Sequence, residues 1–292
     1  MRTKALDFPK SILIETSNKC QGQCLFCPYS TLRNHEKTTY LNFLKYQEII
    51  NEIANYDVQR LTLFNNNEPL LDQRIYDFVK YANRIIPNVE ITLSTNGRLL
   101  THDILLNLKE SGLTHLYISI PTISPTEYKI VMGSDVERII SLLTCLDDIE
   151  LYNMIRIAVP KTRFYNADEM NKVLNKYLIC SWDLEYKESW NIDKKFATIS
   201  DGEKYLGPCD RPLDQMVISS NGEVLICCRD WKYENVVGNI YNNSLYNIWH
   251  SDEMKKLQKL IIEQKYDEIE CCKDCNMNIN SYVRRRKKYE KK

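Results

Sequence analysis

Apolar and polar positions change period again and again along the chain, and the changes predict alternating strands and helices. Residues 11–16 (SILIET) form a nearly unbroken apolar run, the pattern of a buried strand. Residues 42–56 set Leu44, Ile49, Ile50 and Ile53 close to one side of a helix. A strand at 60–64 and a helix at 73–86 follow, the helix stopped by Pro87, which has no N–H to give. A strand at 90–94 closes on the turn residues Asn96 and Gly97, and a helix at 102–111 is C-capped by Gly112. Strands at 115–120, 154–159 and 182–187 alternate with helices at 136–146 and 167–177. Repeats of this length predict a parallel sheet with crossover helices. Six of them fall short of the eight that close a barrel, so the expectation is α/β, a partial (β/α)6 TIM-like barrel.

The pattern changes near residue 188. Residues 188–208 lose periodicity, contain Gly202, Gly207 and Pro208, and read as a linker. Two apolar runs, 215–219 and 223–226, flank Asn221 and Gly222, a strong hairpin signal. Short helices are predicted at 244–249 and 252–263, and the chain ends in a basic tail. The expected organisation is a core at 1–187, the linker, a small C-terminal α+β domain at 209–280 and the tail at 281–292.

Composition narrows the function classes. Among 292 residues, Lys plus Arg number 39 and Asp plus Glu 39, so net charge is zero and a nucleic-acid surface is not expected. No apolar run nears the roughly 20 residues that span a bilayer, and no signal-peptide core precedes the first strand. The expectation is a cytoplasmic protein with no membrane contact. Eleven cysteines are the outlier. An odd number without an export signal argues against a disulfide framework and for metal ligation. Cys145 and Cys180 stand alone and read as ordinary buried small apolar residues. The other nine form two groups, Cys20, Cys24 and Cys27 near the start, and Cys209, Cys227, Cys228, Cys271, Cys272 and Cys275 near the end.

Cys20, Cys24 and Cys27 lie on the loop after the first strand, at the strand end where parallel α/β sheets bind ligands. Three thiolates hold three irons of a cubane cluster and leave the fourth open to an external ligand, whereas structural zinc wants four protein ligands. Strand parity sends Cys227 and Cys228 to opposite faces, so they are not expected to reach one cluster. The metal of the second group is left open by its chemistry alone, zinc or a second iron–sulfur cluster.

The CX3CX2C spacing, with aromatic Phe26 before the third cysteine, resembles the radical S-adenosylmethionine (radical SAM) superfamily. Asn65, Asn66, Asn67 and Glu68 stand where that family carries a GGE-type motif touching the SAM amino group. Asparagines replace the glycines, and since asparagine tolerates positive φ the turn is expected to survive. Ser94 and Asn96 resemble the family's segment near the SAM ribose and carboxylate, Ser119 ends the next strand at a similar height, and Arg156 is a candidate partner of the SAM carboxylate. The segment from Cys209 through Cys227 to Cys272 and Cys275 resembles the family's SPASM/Twitch extension. No cysteine follows Cys275, which matches the form with one auxiliary [4Fe–4S] cluster, held by Cys209, Cys227, Cys272 and Cys275. Cys271 is then a bystander, and Cys228 is a candidate hydrogen-atom donor.

The resemblance implies two [4Fe–4S] clusters, one of them SAM-binding, and a flavodoxin- or ferredoxin-type electron donor. SAM is cleaved reductively and a hydrogen atom is taken from a C–H bond. The barrel begins by residue 11, so no N-terminal peptide-recognition domain is expected. The first expectation is therefore a natural-product enzyme that dehydrogenates or epimerises a sugar, aminocyclitol or related polyol. The alternative is an epimerase or crosslinking maturase of a ribosomally made peptide.

Overall fold

The structure, a computed structural model, describes residues 4–33, 36–183 and 209–273. Strands β1 (Ser11–Ile14), β2 (Arg60–Thr62), β3 (Glu90–Thr95), β4 (His115–Ser119), β5 (Ile155–Lys161) and β6 (Leu178–Asp183) run parallel, each paired to the next in sequence. Strand alternation divides them into two faces. Ile12, Ile14, Leu61, Leu63, Leu93, Leu116, Ile118, Ile155 and Ile157 are fully buried in the main core, under the helices. Thr62, Thr92, Ser94, Tyr117 and Ser119 fall on the other, inner face, which is polar along β2, β3 and β4.

The crossover helices are α1 (Tyr29–Leu32), α2 (Phe43–Ile53), α3 (Ile75–Ile85), α4 (His102–Glu110), α5 (Pro125–Met132), α6 (Glu137–Thr144), α7 (Ile149–Met154) and α8 (Ala167–Leu174). Side-chain oxygens cap several of their orphan N–H groups: Asn42 accepts from Lys45 N, Thr101 from Ile104 N and Asn166 from Asp168 N. The expected apolar face of α2 is corrected at one position. Leu44 is 69% exposed, and the buried stripe is Tyr46, Ile49, Ile50 and Ile53. Those four keep the three-and-four spacing, and Leu44, two residues ahead of Tyr46, falls on the far side. Helices α5 and α7 were not expected. The first begins at Pro125 and ends on left-handed Gly133; the second is capped by Asp148, which accepts from Glu150 N and Leu151 N. Strand β6 starts four residues before the expected 182, because the apolar run at 177–180 reads equally as a helix end or a strand, and the expected strand residues 184–187 lie outside the described residues. Cys145, expected to be buried, is exposed at the C-cap of α6.

The C-terminal segment adds α9 (Arg211–Asp214), β7 (Gln215–Ile218), β8 (Glu223–Leu225), β9 (Val236–Asn239), α10 (Leu245–Trp249) and α11 (Asp252–Ile262). The hairpin at Asn221 and Gly222 forms as expected, with β7 and β8 antiparallel. This C-terminal segment is attached to the core through the sheet itself. Strand β7 pairs parallel with β1, from Ser11 opposite Gln215 to Ile14 opposite Ile218. The result, among the described residues, is one sheet of nine strands in the order β6-β5-β4-β3-β2-β1-β7-β8-β9. Side chains reinforce the join. Trp249 Nε1 donates to Leu6 O at 2.8 Å, and the Glu52 carboxylate of α2 accepts from Leu245 N and Tyr246 N at the start of α10. The expected linker and basic tail lie outside the described residues. No helix among the described residues is long and apolar enough to cross a membrane.

Candidate active site at the strand ends

The loops after β1, β2 and β3 meet at one end of the sheet. The first carries Cys20, Cys24 and Cys27 and is closed by the buried Tyr29, whose hydroxyl accepts from Cys20 N at 2.9 Å and donates to Asn18 O at 3.1 Å. Two sulfurs converge on Gly22: a Cβ built there would stand 3.2 Å from Cys20 Sγ and 3.5 Å from Cys24 Sγ. Gly22 N itself donates to Cys20 Sγ at 3.2 Å. Burial pushes the Cys20 thiol up to about 11 and Cys24 up to about 12, and raises Cys27 as well; Cys24 is raised further by Cys20, Cys27 by Cys24 and Cys20, and Cys20 by the Glu68 carboxylate. Without a cation these sulfurs hold their protons, so loading a metal here releases them. Phe26 is partly buried and packs on the edge of the main core.

The second loop is tied to the first by Glu68 N donating to Lys19 O at 2.8 Å. The Glu68 side chain faces the third loop: it accepts from Thr95 Oγ1 and Asn96 N, both at 2.7 Å, and from Leu70 N at 3.2 Å. Glu68 therefore braces two ligand loops, and burial pushes its carboxyl up to about 7 despite these bonds. The three asparagines depart from expectation, because among the described residues the only non-glycine positive φ values are at Tyr233 and Gln264. The turn is held by side chains instead: Asn65 N donates to Asn67 Oδ1, and Asn66 N to Glu15 Oε1, each at 3.1 Å. The Nδ2 groups of Asn65, Asn66 and Asn67 are buried with no partner, as is Gln21 Nε2. A buried donor without an acceptor is costly. Four of them around the thiol cradle fit a ligand bearing anionic oxygen and sulfur, as SAM at an iron–sulfur cluster would be.

In the third loop Asn96 turns toward the cysteines, its Nδ2 3.4 Å from Gln21 Oε1. Ser94 is half-buried on the inner face, and Ser119 ends β4 one strand away. Arg156 is a correction. It is the second residue of β5, and its Nη1 donates backwards to Asn153 O at 2.5 Å and Ile155 O at 2.9 Å. Its charge acts on His115, at the start of β4. The guanidinium is committed to the N-terminal ends of the strands, away from the cysteine loop. Sequence reasoning passed over Glu15, Tyr29 and Arg98, which shape the site through contacts that only the folded chain brings together.

The second cysteine group also gathers. Cys227, Cys228, Cys271 and Cys272 pack around Leu213, Ile226, Ile261 and Ile269. Cys209 N donates to Tyr266 Oη at 3.1 Å, and the Tyr266 ring lies within electrostatic reach of both Cys209 and Cys272. The parity argument about Cys227 and Cys228 fails, because β8 ends at Leu225 and both residues lie in the turn beyond it. The Cys227 thiol donates to the Cys228 sulfur, which raises Cys227 and, with Arg211, lowers Cys228. Cys228 also packs on Leu13, Val217 and Leu225, the apolar part of the inner face. Cys271, expected to be a bystander, is buried within electrostatic reach of Cys227. Cys275 lies outside the described residues. Among the described residues no three Cys, His, Asp or Glu side chains stand as a closed metal cage; what fits a cluster is the soft donor set and its convergence.

Comparison with known proteins agrees with this arrangement. The family model described as the radical SAM superfamily matches residues 14–166, and that of an iron–sulfur cluster-binding (SPASM) domain matches residues 209–276. An S-adenosyl-L-methionine-dependent 2-deoxy-scyllo-inosamine dehydrogenase of Niallia circulans is 23% identical over 270 residues, 91% of this chain and 92% of that one. The crystal structure of BtrN in complex with AdoMet and 2-DOIA superposes with a TM-score of 0.70 at 20% identity, covering 93% of this chain and 94% of the other. Streptococcus suis SuiB bound to the precursor peptide SuiA gives a TM-score of 0.66 at 17% identity, over 86% of this chain and 67% of SuiB.

Proposed function

Because the chain belongs to the radical SAM superfamily, we propose that it abstracts a hydrogen atom from a C–H bond of a sugar, aminocyclitol or related polyol, giving dehydrogenation or epimerisation. It is an enzyme, and SAM and [4Fe–4S] clusters are its cofactors. Cys20, Cys24 and Cys27 would hold the SAM-binding cluster. Cys209, Cys227 and Cys272 would hold the auxiliary one, with Cys275 as the fourth expected ligand. When bound, the reduced cluster and SAM supply one-electron chemistry that reaches unactivated C–H bonds.

The chain's own residues do the positioning. Glu68 locks the β2 and β3 loops together, Tyr29 closes the cysteine loop, and the buried amides of Asn65, Asn66, Asn67 and Gln21, unpartnered among the described residues, are donors on the two loops that would hold the ligand. Ser94, Tyr117 and Ser119 give the inner face hydroxyl groups suited to a polyol. A flavodoxin- or ferredoxin-type protein supplies the electron in this reading.

The observation that carries the substrate class is the nearly end-to-end match to an aminocyclitol dehydrogenase, in sequence and in fold. The test is an anaerobic assay of the reconstituted enzyme against aminocyclitols and sugars. One of them is expected to stimulate 5′-deoxyadenosine release and to be oxidised or epimerised; stimulation by peptides alone would sink the polyol reading. That second reading, a peptide maturase, has its support in the SuiB superposition.

Cys228 separates the two outcomes on a polyol. It packs both with the auxiliary cysteines and with the apolar part of the inner face, which supports a role in returning a hydrogen atom to a carbon radical in an epimerisation. Reaction in D2O then puts deuterium in the product, and Cys228→Ala keeps SAM cleavage while losing the epimer. A dehydrogenase gives product without solvent deuterium.

A further inference from the structure

Arg98 follows the Asn96 and Gly97 turn and reaches into the cysteine loop. Its Nη1 donates to Gln21 O at 3.2 Å, and its Nη2 donates to Met132 O, the last carbonyl of α5. Leu25 N, from the same loop, donates to Val131 O at 2.9 Å. One guanidinium thus joins the β3 turn, the segment between Cys20 and Cys24, and the carbonyl end of α5. A planar two-armed donor suits that bridge better than an ammonium.

The charge also has somewhere to act. The Cys20 and Cys24 sulfurs both feel it, as do Glu68 and Tyr128. Its Nε–H is buried and has no protein partner among the described residues. Reducing a thiolate-bound cluster adds an electron to a group that already carries negative charge. A fixed cation in a poorly solvated site favours the reduced form, as do hydrogen bonds to the sulfurs.

We propose that Arg98 is a positioning residue that clamps the cysteine loop onto α5 and, through its fixed charge, raises the reduction potential of the SAM-binding cluster. The inference rests on the radical SAM reading above and concerns a residue outside the cysteine and asparagine motifs.

Wild-type, Arg98→Lys and Arg98→Met holoenzymes are compared by redox titration followed by EPR, with iron content measured for each. A change in the reduced signal on adding SAM identifies the open-iron cluster. If the wild type shows no such change, the functional reading fails, whatever Arg98 does. With that change present, Arg98→Met is expected to have a midpoint below the wild type and to cleave SAM more slowly with a weak reductant than with a strong one. Arg98→Lys, which keeps the charge and loses the fork, is expected to recover the potential more fully than the thermal stability. A fully loaded Arg98→Met at the wild-type potential overturns the proposal. Should the methionine protein take up no iron, Arg98→Gln is titrated in its place, and a wild-type potential there overturns it equally.

Discussion

At the scale of single residues, the site rests on a buried carboxylate. Glu68 is 2% exposed and holds three donors on two loops. Its folded pKa, about 7, lies above the ordinary 4.5 because burial outweighs the hydrogen bonds. The folded state therefore binds the proton more tightly than the unfolded state, and stability falls as pH rises from about 4.5 through 7, then levels. Comparing denaturant midpoints of wild type and Glu68→Gln at pH 5 and pH 7.5 isolates this group. The wild type is expected to lose on the order of 1–3 kcal/mol more than the variant over that interval; equal slopes would remove the argument. Arg156→Ala is expected to leave SAM affinity within about twofold of wild type by equilibrium binding, since its guanidinium is bound at the opposite strand ends; a tenfold loss would restore it to the SAM site. The two residues also mark how far the site was legible. The cysteine spacing and Glu68 stand out as a linear motif. Arg156 was misplaced because strand parity tells which face a residue takes, not the direction in which a long side chain then turns. Glu15 and Arg98 carry no local signal, since their partners lie far along the chain, 205 residues for Glu15 and Ser220 and 77 for Arg98 and Gln21, and Tyr29 pairs with backbone groups that no residue type announces.

At the scale of elements, period and caps located most of the fold. Pro87, Gly112 and the Asn221–Gly222 pair each end or turn an element where expected. What escaped was short or ambiguous. Helix α7 has only six residues, α5 buries side chains only in its last five positions, at Tyr128, Val131 and Met132, and the start of β6 is hidden in the apolar run at 177–180, which begins on the last residue of the expected helix. The β3 turn is sensitive to change. Gly97 has φ +76°, and a Cβ there would stand 2.8 Å from Ile139 Cδ1. Gly97→Ala is expected to cost about 1–3 kcal/mol in denaturant unfolding and to weaken SAM binding, because Asn96 and Arg98 on either side both reach the cysteine loop.

At the scale of the whole molecule, the pairing of β7 with β1 makes the two cysteine-bearing segments parts of one sheet. Thermal unfolding of the full chain is expected to show a single transition, and a chain ended at residue 187 is expected to aggregate, having exposed the β1 edge and the surface that Trp249 covers. Two well-separated transitions would show that the halves fold independently. That reading of the sheet was not available beforehand, because a hairpin signal fixes the partner of β8 but says nothing of what lies beyond β7. The same pairing also sets a timetable for synthesis. Strand β1 is made about 200 residues before its second neighbour, an interval of roughly 10–40 s at ordinary translation speeds. Throughout that interval the middle of the future sheet is an open edge on the ribosome, so stalled or shortened nascent chains of this protein become substrates for chaperones and proteases before either cluster can be installed.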